Sequence, residues 1–173
     1  MNDTIKLLID IGNKKLNEEL GLVEFTKNSE WDLLMNDIDN YSHLYVLGCV
    51  GDKQITAERA WRIPMIIGEK IGGYEFEKFK KVSLEELKDV FINNSLHRFN
   101  NDVAKQYYKA IEKIAKEYGG TANKIWRENN SSASIFGKFL QFEGIGQKIA
   151  SMAVNILLRN FKENIISKEW IDV

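Results

Sequence analysis

Cysteine and proline are almost missing from this sequence. One thiol, Cys49, occurs in 173 residues, so the chain alone cannot build a disulfide framework, a four-thiolate zinc site or a cysteine-held iron–sulfur cluster. A stapled secreted mini-protein is excluded, and a reducing compartment is expected. A single proline, Pro64, and twelve glycines leave little to interrupt long helices. Apolar runs fall well short of the roughly 20 residues that span a bilayer. The opening stretch MNDTIKLLID mixes acidic with basic residues and lacks the apolar segment of a secretory signal. A soluble, cytoplasmic chain without a membrane partner is the expectation. Excess charge is lacking too: 24 Lys/Arg against 25 Asp/Glu give a net of −1. That mean argues weakly against nucleic acid, but it hides a division. Residues 1–50 hold four basic and nine acidic residues, a net of −5, so the rest carries +4. A basic working surface on the larger part is permitted, not required.

What is present is ample core material. With 44% hydrophobic and 28% charged residues, the chain can fold as one domain and is too apolar to be disordered. Its periodicity is helical almost throughout. Ile5, Leu8, Ile9, Leu16 and Leu20 mark a first amphipathic helix ended by Gly21. Ser29, with Asp32 three residues on, suits the start of a second. The dense run HLYVLGCVG (43–51) reads as a buried helix, because no second strand exists to pair with it. Asp52 is the expected cap of the next helix, which Pro64 kinks and Gly72 with Gly73 closes. Ser83 and Glu86 form a capping box, Val103 to Tyr118 make a long stripe stopped at Gly119, and 135–140 and 147–160 supply the last two. The expected fold is all-α, with about eight helices.

The informative element is GKFLQFEGIGQKIASMAVNILLRN. One helix enters, the chain turns through Gly144, Ile145 and Gly146, and another leaves. Two glycines around one apolar residue suit a tight turn with exposed backbone and a pinned side chain. The outgoing helix offers free N–H groups and its positive dipole end, which together bind an anion such as phosphate. Ile149, Met152, Ala153, Ile156 and Leu157 share one expected face. Lys148, Ser151, Asn155 and Arg159 share the other. The same pattern also suits a plain helix–turn–helix corner with Lys148 in solvent.

FEGIGQKIASMAVNIL resembles the hairpin of the helix-hairpin-helix base-excision DNA glycosylases, the endonuclease III-like superfamily. Gly144 and Gly146 fall on that family's hairpin glycines and Lys148 on its nucleophilic lysine. HRFNNDVAKQYYKAIEKIAKEYGG resembles the family's helix before the hairpin. VLGCVGDKQITAERAW is similar to its early helix-loop-helix, whose loop approaches DNA. The resemblance covers residues 44–173. It implies an all-α endonuclease III-like fold, with residues 1–40 as N-terminal helices packing on a glycosylase-like domain of residues 41–173.

The resemblance also implies an activity: a damaged base is flipped from double-stranded DNA and its glycosidic bond cut, at damaged-base or abasic sites. Lysine at the hairpin marks the members that also nick the strand. An unprotonated amine attacks the sugar, displaces the base and forms a Schiff base, after which elimination breaks the backbone. A free lysine is uncharged in only about one molecule in 2,500 at pH 7, so Lys148 needs a perturbing neighbour that the sequence does not identify. Gly144, Ile145, Gly146, Gln147 and Ser151 are the expected DNA contacts, with Gln54 inserting into the base stack. Asp172 falls on the family's acidic catalytic residue, 24 residues beyond Lys148. The alternative for it is a loop aspartate upstream of the true one. A monovalent cation held by hairpin carbonyls is implied; no other cofactor and no protein-bound metal is expected. The four cysteines of cluster-bearing relatives are absent, and Glu143 replaces the family's proline. Oxidised pyrimidine is the default lesion, with oxidised guanine and alkylated purines open. Nucleoid association follows from the same reading. Two other functions fit the residues: a non-catalytic helix-hairpin-helix DNA-binding module, and a helical adaptor with an acidic N-terminal contact.

His43 and His97 lack partners at ligand spacing and read as structural. Arg98 reads as a surface charge or phosphate contact, and Cys49 as a small core residue. Trp61, Trp126 and Trp170 read as core or rim aromatics, any of which could stack on a flipped base.

Overall fold

The computed structural model describes residues 3–17, 21–128 and 131–166. Among them are ten helices and no strand. Their order is α1 (Asp3–Asn17), α2 (Ser29–Asn36), α3 (Ser42–Gly51), α4 (Ala57–Ile71), α5 (Phe76–Lys81), α6 (Leu84–Asn93), α7 (Asn100–Tyr118), α8 (Lys124–Arg127), α9 (Ser132–Leu140) and α10 (Gln147–Arg159). Two of these, α5 and α8, go beyond the eight expected. Each is too short to repeat an apolar period: α5 anchors only Phe76 and Phe79, and α8 only Ile125 and Trp126.

The apolar run at 43–51 is the central helix, α3, and every one of its residues is buried. Helices α2, α4, α7 and α10 pack on it. Burying a side chain such as Leu44 or Leu47 contributes roughly 1.5–3 kcal/mol. Gly48 admits the indole of α4: a Cβ there would stand 2.1 Å from Trp61 Cε3. Tyr45 donates its hydroxyl hydrogen to the Ala153 carbonyl at 2.8 Å, joining α3 to the middle of α10. Trp61 and Trp126 are thus core residues. Trp170 lies outside the described residues.

Local signals divide into kept and displaced ones. The capping box at Ser83 forms as expected, with Glu86 accepting the Ser83 N–H at 2.8 Å. Gly72 and Gly119 close α4 and α7 in the left-handed conformation. The cap of α2 is Asn28 rather than Ser29, because its carboxamide oxygen reaches the N–H groups of Glu30 and Trp31. Asp32 is buried instead, accepting both the N–H and hydroxyl of Thr26 at 2.7 Å. Asp52 ends α3 instead of starting α4, whose first flanking residue is Thr56. Pro64 sits inside α4, which runs on to Ile71. In α1, the side chains of residues 3–14 are exposed, Ile5, Leu7, Leu8, Ile9 and Ile11 included. Leu20 lies outside the described residues.

After α10 the chain folds back. Phe161 stacks on Phe25 and meets Tyr45 edge-on, and Arg127 holds Glu163 and Asp39.

His43 is buried in the core, with Nε2 2.8 Å from the Tyr74 carbonyl and its ring between Phe76 and Phe79 at 5.3 and 5.2 Å. Burial lowers its pKa to about 4. The unfolded chain therefore takes up this proton first, near pH 6.5. The contribution of neutral His43 is complete above that pH and is lost as pH falls toward about 4. The loss amounts to about 3 kcal/mol at 1.36 kcal/mol per pK unit. Urea unfolding of wild type and His43→Gln at pH 7 and pH 4 should show the variant with the flatter pH dependence by that amount.

Candidate functional site

The hairpin begins where α9 runs out. Phe142 and Ile145 are buried, and Ile145 N–H donates to the Phe142 carbonyl at 3.1 Å. Two apolar anchors thus pin the turn while Glu143 and Gly144 bridge them. Gly144 has φ +102°, and a Cβ there would stand 2.8 Å from Gln106 Oε1 and 3.2 Å from the Val50 carbonyl oxygen. Both the backbone and the close approach to α3 call for glycine. Gly146 differs. Its φ of −92° suits any residue, and a Cβ would meet nothing within 4 Å. It is exposed, and it caps α10 without a side chain. Ala150 N–H is bonded back, to the Gly146 carbonyl at 2.9 Å. The amides before it lack intrahelical partners and carry the positive dipole end, a surface suited to an anion.

Across from this surface runs the loop 52–56 between α3 and α4. Loop and hairpin line a cleft of about 720 Å³, with Asp52, Lys53, Gln54 and Ile55 on one side. Gly144, Ile145, Gly146, Gln147, Lys148, Ile149 and Met152 form the other. Such a volume lies in the range of ligand sites, roughly 300–1,000 Å³. Gln54 is exposed and has φ +57°, a conformation that costs a non-glycine residue about 1–2 kcal/mol. It also lines an adjoining hollow of about 290 Å³ with Phe99, Lys105 and Gln106.

The neighbours that impose this backbone include a histidine 44 residues away. His97 Nε2 lies 2.9 Å from the Lys53 carbonyl, while its Nδ1 accepts the Phe99 N–H at 3.0 Å. The second bond fixes the tautomer: Nδ1 is the acceptor, so Nε2 carries the hydrogen and donates to the loop. Burial lowers the pKa of His97, which keeps this neutral form. Arg59 braces the same region from α4, donating to the carbonyls of Ser95 and Leu96. His97 is structural, as its spacing implied, but what it supports is the loop of the cleft.

Lys148 is exposed in the first turn of α10. Asp52 is half-buried opposite it. Burial pushes the Asp52 carboxyl up from its ordinary range, and the charge of Lys148 draws it partly back. The sequence reading gave Asp52 only a capping role. The available signal was its place two residues before Gln54, in the loop likened to a DNA-approaching loop. Glu143, which stands where the resembled family has proline, is paired with Lys109 of α7 at 2.6 Å.

The buried side of α10 is Ala150, Ala153, Val154 and Leu157, joined by Ser151. This corrects the expected division of faces by about one position. The alanines are fully buried on this side, where Tyr45 of α3 reaches the Ala153 carbonyl, whereas Ile149 and Met152 line the cleft. Ser151 is only 3% exposed and does not line the cleft. Gln147 does line it, and Arg159 is exposed at the far end of the helix. Asp172 lies outside the described residues. Arg98 is exposed and stacks on Phe99 at 4.9 Å. No cluster of three or more His, Cys, Asp or Glu suited to a metal occurs among the described residues.

The two hairpin glycines should separate in thermal unfolding followed by circular dichroism. Gly144→Ala meets both a left-handed backbone and tight neighbours, and should cost about 1–3 kcal/mol. Gly146→Ala, pointing into open space, should stay within about 0.5 kcal/mol of wild type.

No family model matches the chain, and neither the curated proteins nor the solved structures contain a significant match.

Proposed function

We propose that the chain is an endonuclease III-like helix-hairpin-helix DNA glycosylase with AP-lyase activity, acting on duplex DNA that carries a damaged base or an abasic site. The observation that carries this reading is one juxtaposition. The uncapped start of α10, Lys148 one residue further on, and the strained, exposed Gln54 line a single cleft. In this reading Gly146 and the first amides of α10 hold a backbone phosphate, and the absence of a Cβ on Gly146 lets the strand come close. Gln54 fills the space left by the flipped nucleotide. Lys148 attacks the sugar anomeric carbon and forms the Schiff base. A monovalent cation fits the hairpin: Gln106 Oε1 is buried without a partner beside Gly144, a hard oxygen donor that would join the hairpin carbonyls and add positive charge next to the phosphate.

Borohydride with a duplex containing one abasic site should trap wild-type protein covalently, and Lys148→Ala should abolish the trapped band. Gly146→Ala should weaken duplex binding by about tenfold at unchanged stability, since its Cβ occupies the line of phosphate approach. Binding with a steep salt slope but no trapping corresponds to a non-catalytic DNA-binding module. A specific observation favours a second reading, the helical adaptor: the exposed Ile5, Leu7, Leu8, Ile9 and Ile11 of α1. That reading prevails if no duplex binding occurs even at low salt.

A further inference from the structure

Schiff-base formation needs more than an amine. A proton must leave the nitrogen and an oxygen must leave as water, so a group able to take a proton and return it within reach of both is required. Asp52 shares the cleft with Lys148 and feels its charge. It lies at the end of α3, on the wall of the cleft opposite Lys148. Its carboxylate forms no ion pair and no hydrogen bond among the described residues, which sets it apart from Glu143, Glu86 and Asp32. The groups facing it are Cys49 from α3, Lys53 from its own loop, Tyr107 from α7 and Lys148 from α10. Tyr107 is wholly buried, and its hydroxyl has no partner and sits 2.8 Å from the position of a Cβ on Gly51. The floor beneath Asp52 is therefore poorly solvated and supplies no charge of its own. The carboxyl is raised from its ordinary range by this burial, which suits a group that must hold a proton briefly.

We infer that Asp52 is the positioning residue and proton carrier for Lys148. The inference takes its substrate, an abasic-site aldehyde, from the glycosylase/lyase reading above. Lys148 Nζ forms a bond to C1′ as the carbonyl π pair moves onto oxygen. Asp52 takes one proton from the nitrogen, and solvent protonates the oxygen to give the carbinolamine. Asp52 then returns its proton to that hydroxyl, which leaves as water while the nitrogen lone pair closes the iminium. Of the two protons in the departing water, one comes from the amine through Asp52 and one from solvent.

Two measurements on the full chain test this. In the first, borohydride trapping on abasic-site duplex is timed across pH. Beyond the fall toward acid that amine protonation gives every lysine, wild type should show a second, steeper acid limb where Asp52 becomes protonated. Asp52→Asn should be slower by about a hundredfold and lose that limb, and Asp52→Glu should recover part of the rate and the limb. A merely structural role would lower the rate without removing the limb. Equal rates and profiles for wild type and Asp52→Asn overturn the inference. The second uses wild type alone, so it survives any misfolding of the variants. Reductive methylation with formaldehyde and cyanoborohydride, read by mass spectrometry, compares Lys148 with the exposed Lys105 and Lys162. Lys148 should react faster and show the second acid limb that the other two lack; uniform behaviour overturns the pairing. If Lys148 is singled out by formaldehyde yet abasic DNA is never trapped, the glycosylase/lyase reading falls, and the DNA substrate with it, while the amine–carboxylate pair stands.

Discussion

A helix with no solvent-facing side governs this structure. Because all of α3 is buried, each of its faces needs a neighbour and each of its polar groups a partner. Gly48 meets the first need by letting Trp61 lie against the backbone. The second is met by two long-range hydrogen bonds, Tyr45 to the Ala153 carbonyl and His43 to that of Tyr74. The first of these bonds ties α10 to α3. A buried helix must also release its chain to the surface at its end, and it does so through loop 52–56. The hairpin is packed against that end, with Gly144 against the Val50 carbonyl. The cleft is thus a consequence of burying α3: one wall is its exit loop and the other is the helix its tyrosine holds.

Much of this was legible in sequence. The run at 43–51 had to be a buried helix, since an isolated apolar strand would leave its backbone unpaired. The glycine stops and the Ser83 capping box depend on neighbours within a few residues, and they appear as expected. What was not legible depends on distance in the chain. Nothing near Lys53 announces His97, whose hydrogen bond sets the loop. Gly144 and Gly146 look equivalent in a GIG triplet, and only the approach of α3 makes the first obligatory and leaves the second open. The faces of α10 shifted because its alanines, weak in any hydrophobic count, are fully buried. Ser151, read as a surface polar residue, is buried beside them.

Charge in the cleft is local rather than general. Lys109 neutralises Glu143 at its edge, and exposed pairs of this kind contribute little to stability. The net charge of −1 therefore says little about recognition at this site. Its positive character comes from oriented amides and from Lys53 and Lys148, and its negative character from one half-buried carboxylate. The left-handed backbone of Gln54, braced by His97, presents an exposed side chain at the junction of the two hollows. Strain of this kind persists only where surroundings over-determine it.

The start of α10 and the loop 52–56 line one cleft and are proposed to form one DNA-binding surface. Amide nitrogen–proton NMR spectra recorded while a short abasic duplex is added test it most directly. The largest shifts are expected at the amides of Gln147, Lys148 and Ile149 together with those of residues 52–55. Shifts confined to another surface, such as the exposed apolar face of α1, would contradict it.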